Sequence, residues 1–408
     1  MAGIYLHIPF CRKACHYCNF HFSTSLKNKP EMVAAIANEI SAKIFPETAQ
    51  VKNETIETIY FGGGTPSLLN KEELILLIDE IKKNYDVAAN AEITLEANPD
   101  DISASVLKDW KQSGINRLSI GVQSFRDEDL RWMNRAHSAS QSVESLKTAQ
   151  DLGFHNISID LIYGLPNFPN EMWQQNVEQA LALNIPHISC YALTVEPKTA
   201  LENFIHSGKS KPVDPELQSA QFLLLMDWLK AADYEHYEIS NFAKPGLRSR
   251  HNSSYWQGKP YFGFGPSAHS FDGEKTRWWN VANNSLYLKN QHLLKTTDDG
   301  LQTTIDRQKT VDDLNVKSHD SRFASHDFEV LTPDQQLNEY MMIALRTMEG
   351  INLAELQAKS LDDASFKTIL KKVETWKNSG KIIIDNQQIQ LTNEGKLFAD
   401  GIAADLFV

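Results

Sequence analysis

Cys11, Cys15 and Cys18 fall within eight residues, in Pro9-Phe-Cys-Arg-Lys-Ala-Cys-His-Tyr-Cys18. Three thiolates at this spacing can wrap one corner of an iron–sulfur cube and take one iron each, and a fourth cysteine ordinarily completes the set. None follows nearby: Phe20 stands two residues beyond Cys18, and Cys190 lies far along the chain. One iron would then lack a protein thiolate and stand open to a chelating ligand. A tetrahedral zinc site is the rival chemistry, with His16 or His21 as the fourth donor. Unrelated buried thiols would satisfy the composition, but apolar burial does not concentrate cysteine at such spacing.

Other residues could serve a polar ligand beside that metal. Gly62-Gly63-Gly64-Thr65-Pro66 follows a β-rich run, and glycines let a backbone approach a ligand closely with its N–H and C=O groups exposed. A tight turn after a strand would use the same residues. Glu96 in Leu-Glu-Ala-Asn-Pro, Gln123 in Gly-Val-Gln-Ser-Phe and Asp160 in Asp-Leu-Ile-Tyr-Gly-Leu-Pro recur at the ends of predicted strands. Singly each reads as a cap or loop anchor; together they would converge on one rim, where buried polar groups need partners. Arg135 adds a planar donor suited to a carboxylate. A second constellation is His251-Asn252-Ser253-Ser254-Tyr255-Trp256, followed by Pro260-Tyr-Phe-Gly-Phe-Gly-Pro-Ser-Ala-His269. Imidazole and phenolate can ligate haem iron. Trp256, Tyr261 and Phe262 offer flat apolar faces, and Arg248, Arg250 and Lys259 could meet propionates. A histidine among aromatics is also an ordinary packing arrangement.

The elements that must position these groups alternate. Predicted strands are Ile4–Ile8, Thr58–Phe61, Ile93–Glu96, Arg117–Ile120, Ile157–Asp160 and His187–Tyr191, with a weaker one near Tyr234–Ile239. Between them, apolar residues fall at three- and four-residue spacing, as in Leu74, Leu77, Ile78 and Ile81 or Trp173, Val177 and Leu181. Ser103 and Asp127 read as helix N-caps, and Gly114 and Gly153 as stops. Such alternation predicts an α/β fold with a parallel sheet and right-handed crossovers. We expect a partial (β/α)6 TIM-type barrel, with a doubly wound open sheet as the alternative; either places the cysteines at the sheet's C-terminal edge. The stretch Lys295–Val330 is polar and irregular. Beyond it, Thr332-Pro333 opens a helix, and a hairpin about Asp385-Asn386 predicts a C-terminal helical, winged-helix-like domain. The expected division is 1–245, 246–330 and 331–408.

Composition limits the partners. The 408 residues carry 40 Lys and Arg against 52 Asp and Glu, a net charge of −12, so no global positive field draws nucleic acid. No apolar run reaches the ~18–20 residues of a membrane span, and no export signal is read at the N-terminus. Four cysteines are too few for a disulfide scaffold, and a cytoplasmic location with reduced thiols is expected.

The spacing Cys-x3-Cys-x2-Cys resembles the radical S-adenosylmethionine (SAM) signature. The resemblance implies a 4Fe-4S cluster on Cys11, Cys15 and Cys18, with the amino and carboxylate groups of SAM on its open iron. Over roughly the first 270 residues the motifs are similar to the oxygen-independent coproporphyrinogen III oxidase-like branch. SAM contacts are thereby implied at Tyr5, Gly63, Gly64, Thr65, Glu96, Gln123, Arg135, Asp160 and, less securely matched, Ala192. The oxidase pattern carries a further cysteine where this chain has Phe20, and an N-terminal extension where ten residues precede Cys11. The string His-Asn-x-x-Tyr-Trp instead resembles the signature of the HemW-type haem chaperones. It implies haem binding at His251, Asn252, Tyr255 and Trp256 and haem-accepting proteins as partners. The sequence leaves open a small electron donor, and apolar residues on the C-terminal helices could face a second copy or only the core. A tetrapyrrole-modifying radical SAM enzyme is the alternative.

Overall fold

Apolar and polar residues alternate along the first six strands, and in the computed structural model the two sets face opposite ways. The structure describes residues 2–51, 54–297 and 326–408. Strands β1 (Ala2–Ile8), β2 (Ile56–Gly63), β3 (Val87–Ala97), β4 (Arg117–Gln123), β5 (Ile157–Tyr163) and β6 (His187–Ala192) pair in chain order, all parallel. Ile4, Leu6, Ile59, Phe61, Leu118 and Ile159 are fully buried on the side that receives the connecting helices. The other face is polar. Register aligns Tyr5 with Tyr60, Glu96 with Ser119, and Asp160 with Ser189. A closed TIM barrel normally fills its interior with branched apolar side chains; this lumen is built to be wet or occupied.

Residues from the loop after β1, from β3, from β5 and from β6 line one cavity, so the sheet curls round a shared axis. It does not close. β6 pairs with β8 (Asn241–Ala243), itself joined to β7 (Glu235–Glu238), while β1 pairs with β9 (Tyr261–Phe264). From β9 the sheet continues antiparallel through β10 (His269–Phe271), β11 (Thr276–Asn280) and β12 (His326–Val330), twelve strands among the described residues. The partial barrel is thus observed, and the doubly wound alternative is not. Strands β9 to β12 extend the barrel's sheet instead of forming a separate layer. Most of the polar stretch Lys295–Val330 lies outside the described residues; only a helix end at Thr297 and β12 border it.

Helix signals were read with one exception. Ser103 caps the helix Ala104–Gln112, accepting from Val106 N at 3.4 Å, and Gly114 and Gly153 adopt φ of +97° and +79° just beyond helix ends. Asp127 is instead the first helical residue, with Arg126 at the cap; its Oδ1 accepts from Ala139 N at 2.7 Å and ties two successive helices together. The C-terminal module runs helix Pro333–Leu345, strand Ile351–Asn352, helices Leu353–Lys359 and Asp363–Asn378, then hairpin Ile382–Asp385/Gln388–Leu391. Asn386 and Gln387 both take positive φ, as a two-residue type I′ turn requires. This module has its own core around Met341, Ile369 and Ile389. It docks on β7 through Ile239 N to Arg346 O (3.0 Å) and Met348 N to Tyr237 O (3.0 Å).

Candidate cluster and cofactor site

The three cysteines leave β1 on a loop held at both ends. Cys11 N donates to Ser23 O at 3.0 Å, and His16 N to Met133 O at 3.1 Å. All three thiols are free and part-buried. Two of them receive a hydrogen bond at sulfur: Thr65 Oγ1 donates to Cys11 Sγ (3.4 Å) and Arg135 Nη1 to Cys15 Sγ (3.3 Å). Asn98 joins these donors, giving Nδ2 to Thr65 Oγ1 (3.3 Å) and accepting Arg135 Nη2 at 2.6 Å. One polar circuit thus fixes two sulfurs from three elements. Burial, aided by the neighbouring thiols Cys18 and Cys15, pushes Cys11 up to about 11 against the Thr65 hydrogen bond, so loading a metal there must release a proton.

The donor set can be tested against the two metal chemistries. No group of three or more His, Cys, Asp or Glu among the described residues converges on a single ion. His16 Nδ1 bonds Trp132 O at 2.8 Å and His21 Nε2 bonds Asn284 Oδ1 at 2.7 Å, so each histidine is engaged away from the sulfurs. Three separated thiols with hydrogen-bond donors at sulfur suit a cube that takes one iron per thiolate.

Behind the cysteines lies a cavity of about 380 Å³, lined by Gly63, Gly64, Thr65, Glu96, Gln123, Arg135, Asp160 and Ala192. The structure therefore gathers these expected residues at one mouth; Tyr5 is not among the lining residues. It sits lower in the lumen, its ring 6.1 Å from that of Tyr60. Gly64 is dictated by packing: a Cβ there would stand 2.6 Å from Phe10 O. Gln123 has φ +66° at a register slip between β4 and β5, a conformation that turns its amide toward Gly121 and the lumen. Glu96 is raised to about 7 by burial, opposed by the Tyr60 hydroxyl (2.8 Å) and reinforced by Asp160. Asp160 is raised to about 6 by burial. Two carboxyl groups held so far up mark a place where a cation would be welcome.

Asn98, Tyr60 and Arg117 escaped the sequence reading. Asn98 stands two residues after Glu96, so strand alternation alone puts it on the same face. Arg117, 1% exposed near the barrel floor, had no local signal.

The second constellation does not join this cavity. Helix Arg250–Trp256, capped by Ser249, lies under β1 and β2. His251 is 1% exposed, with Nδ1 2.7 Å from Thr58 Oγ1 and Nε2 2.9 Å from Tyr255 OH, and its ring stacks on Tyr60 at 5.0 Å. A Cβ on Gly3 would meet that ring at 3.2 Å, so a glycine in β1 makes room for the histidine. With both ring nitrogens engaged, His251 plugs the barrel floor and in this arrangement offers no lone pair to iron. Burial lowers its pKa to about 3. Trp256 faces a groove toward the C-terminal module, beneath Arg346 at 5.2 Å, and Asn252 and Tyr255 are part-buried. Arg248 is paired with Glu235 (2.9 Å) and Glu349 (2.7 Å), and Arg250 Nη1 donates to Asn90 O.

An open parallel barrel with three cysteines on the loop after its first strand defines the radical SAM class, and residues 5–180 match the Radical SAM superfamily. Residues 331–398 match the HemN C-terminal domain. The chain is 34% identical over 98% of both chains to the heme chaperone HemW of Bacillus subtilis, and 36% identical to that of Escherichia coli over 72% of this chain and 79% of the relative. It belongs to the heme chaperone HemW family. The solved structure of coproporphyrinogen III oxidase (HemN) from Escherichia coli covers all of this chain with a TM-score of 0.77 at 22% identity, a likeness of fold. No described helix is long and apolar enough to cross a membrane.

Proposed function

We propose that this protein binds haem and passes it to haem proteins, and that it carries a 4Fe-4S cluster on Cys11, Cys15 and Cys18 with SAM in the adjoining cavity. The observation that carries the reading is the hydrogen-bonded thiol triad at a polar barrel mouth, in a chain similar end to end to proteins named heme chaperone. When bound, the cluster supplies an iron with an open coordination position and a source of single electrons. The chain's own residues do the holding. Arg135 and Thr65 orient sulfurs; Gly63 and Gly64 expose backbone at the rim; Gln123 and Ala192 border the cavity. Glu96 and Asp160 favour a cationic ligand when ionised. For haem, we keep Trp256, Asn252 and Tyr255 as candidates for contact through the helix that bears them.

Haemin titrated into anaerobically reconstituted protein should give a shifted Soret band, and the loaded protein should restore the spectrum of an apo-haem protein more quickly than free haemin does. Failure of both removes the chaperone reading. Stoichiometric 5′-deoxyadenosine with a vinyl-bearing product from coproporphyrinogen III would favour the enzyme instead.

The carboxyl pair gives a pH dependence. Each has a folded-state pKa above its ordinary value, so protonation favours the empty fold; that stability is complete below the usual carboxylate range and is lost as pH rises through about 6 for Asp160 and about 7 for Glu96. A bound sulfonium reverses the preference by favouring the ionised forms. SAM should therefore bind with proton release, and tighten as pH rises from about 5 to about 8. Calorimetry in two buffers of different ionisation enthalpy reads the released protons; equal heats in both would refute the assignment.

A further inference from the structure

The cofactor cavity and the barrel floor are gripped by one strand. Thr58 and Tyr60 are successive inward-facing residues of β2, and each reaches a different site. Tyr60 OH donates to Glu96 Oε1 at 2.8 Å, and Glu96 lines the cavity behind the cysteines. The Tyr60 ring also lies on His251 of the helix Arg250–Trp256, with centroids 5.0 Å and planes 23° apart. Thr58 Oγ1 holds the same imidazole through Nδ1 at 2.7 Å. Tyr5 backs the stack, 6.1 Å from the Tyr60 ring and 6.5 Å from that of His251. A Cβ on Gly62 would stand 2.8 Å from the Tyr5 ring, 3.0 Å from the Tyr60 ring and 3.2 Å from Glu96 Oε1. The side chains between cavity and floor are therefore packed without slack.

The helix below is pinned at its start and engaged at its end. Glu92 Oε1 accepts from Arg250 N at 3.0 Å and from His251 N at 3.2 Å. Tyr255 OH meets His251 Nε2 at 2.9 Å, and Trp256 lines a groove of about 580 Å³ beside the C-terminal module. In this sealed floor both nitrogens of His251 are occupied, and the ring above them is the one that holds Glu96.

Resting on the SAM and haem readings above, we propose that Tyr60 sets the two sites against each other: SAM in the cavity keeps the floor sealed and weakens haem binding, and haem at the helix weakens SAM by the same factor. A haem that engages Tyr255, or draws on a nitrogen of His251, breaks the bond between them or the one to Thr58, so haem selects an unsealed floor. A sulfonium in the cavity favours the ionised carboxyl of Glu96. A carboxylate takes a phenol hydroxyl more strongly than a neutral acid does, and Tyr60 is then held firmly over His251. Each ligand favours a different arrangement of one packed stack, and linkage makes the antagonism reciprocal. In a haem carrier this is a release device: cargo taken up by the SAM-free form is given up when SAM arrives.

Affinities of the anaerobically reconstituted full chain test this, with each variant checked for fold by circular dichroism. Haemin, followed by its Soret band, should bind the wild type roughly fivefold or more weakly with saturating SAM than without, and SAM titrated by calorimetry should weaken by the same factor once haemin is bound. Tyr60→Phe keeps the ring and loses the hydroxyl, so its coupling factor should fall to about one, whatever either affinity becomes alone. Thr58→Val loosens His251 without touching Glu96, and haemin alone should bind it more tightly than the wild type. Tyr163→Phe makes the same change as Tyr60→Phe on the helix-facing side of β5, beside Trp173 and Phe222, and should keep wild-type coupling. Independent binding in the wild type, coupling of the opposite sign, undiminished coupling in Tyr60→Phe, or unchanged haemin affinity in Thr58→Val would each overturn the proposal and leave both readings intact. A wild type that fails to bind one of the two ligands would remove the reading for that ligand, and the antagonism with it.

Discussion

Cys15→Ser, reconstituted anaerobically with iron and sulfide, is expected to emerge nearly colourless, with iron and sulfide per chain reduced by roughly tenfold. The triad has no reserve: among the described residues no nearby His, Cys, Asp or Glu forms a substitute group, and His16 and His21 are tied to Trp132 O and Asn284. A serine hydroxyl is a poor ligand for iron at neutral pH. The substitution also leaves the Arg135 Nη1 donor without its sulfur acceptor, beside an Nε that already lacks a partner. Cys190→Ser is the matched control. Cys190 pairs with Leu161 on the face turned away from the lumen and is 2% exposed, so its loss should leave iron content unchanged. Retention of the chromophore by Cys15→Ser would mean that the sulfurs are not the ligands.

The parts of this architecture that were legible in the sequence are those with local causes. Parallel strands announce themselves as short branched runs between helical spacings, and six were placed from Ile4 to Tyr191 with the correct order. The hairpin expected about Asp385-Asn386 is present with its turn one residue on, at Asn386-Gln387, because a two-residue turn demands positive φ and Asp385 pairs with Gln388. Edge strands β9 to β12 were not, since Tyr261–Phe264 is four residues long and contains a glycine, and it becomes a strand only by pairing with β1, some 260 residues earlier in the chain. Asp127 misled because an acidic residue suits both the cap and the first turn. The tertiary demand for a tie to Ala139 N decided between them.

The site divides along the same line. Cysteine spacing and the glycine run are dense local signals, and Glu96, Gln123 and Asp160 could be gathered because strand ends in one parallel sheet share an edge. Asn98, which links Thr65 to Arg135, carries no such mark beyond its alternation with Glu96. His251 shows what the string leaves unsaid. Its neighbours Tyr255 and Trp256 make a pattern that reads as a metal ligand among aromatics, yet the chain buries it over Gly3, where Thr58 and Tyr255 take both nitrogens. Nothing in a linear string tells a ligand from a plug; the distinction lies in whether a ring nitrogen reaches solvent.

The strap that carries the edge sheet depends on a single buried carboxyl group, and Glu39→Ala is expected to destabilise the protein by about 3–5 kcal/mol. Glu39 lies on the helix Lys29–Ala42, 4% exposed, and accepts from Gly265 N (2.8 Å), Asn280 Nδ2 (2.7 Å) and Tyr287 OH (2.5 Å). One residue thereby fixes the turn after β9, the end of β11 and the helix Asn284–Thr297. Alanine strands three buried donors, and each costs about 1–3 kcal/mol when left without an acceptor. Glu39→Gln keeps the shape and one acceptor but points an amide N–H₂ at a donor, so its loss should fall between wild type and alanine. Urea denaturation measures the three proteins. Hydrogen exchange gives the sharper reading: the β9–β11 amides should lose protection in Glu39→Ala before those of β3 to β5, because Gly265 and Asn280 hang from this carboxyl. Uniform loss across the barrel, or a destabilisation below about 1 kcal/mol, would show that the edge sheet is anchored by its pairing to β1 alone.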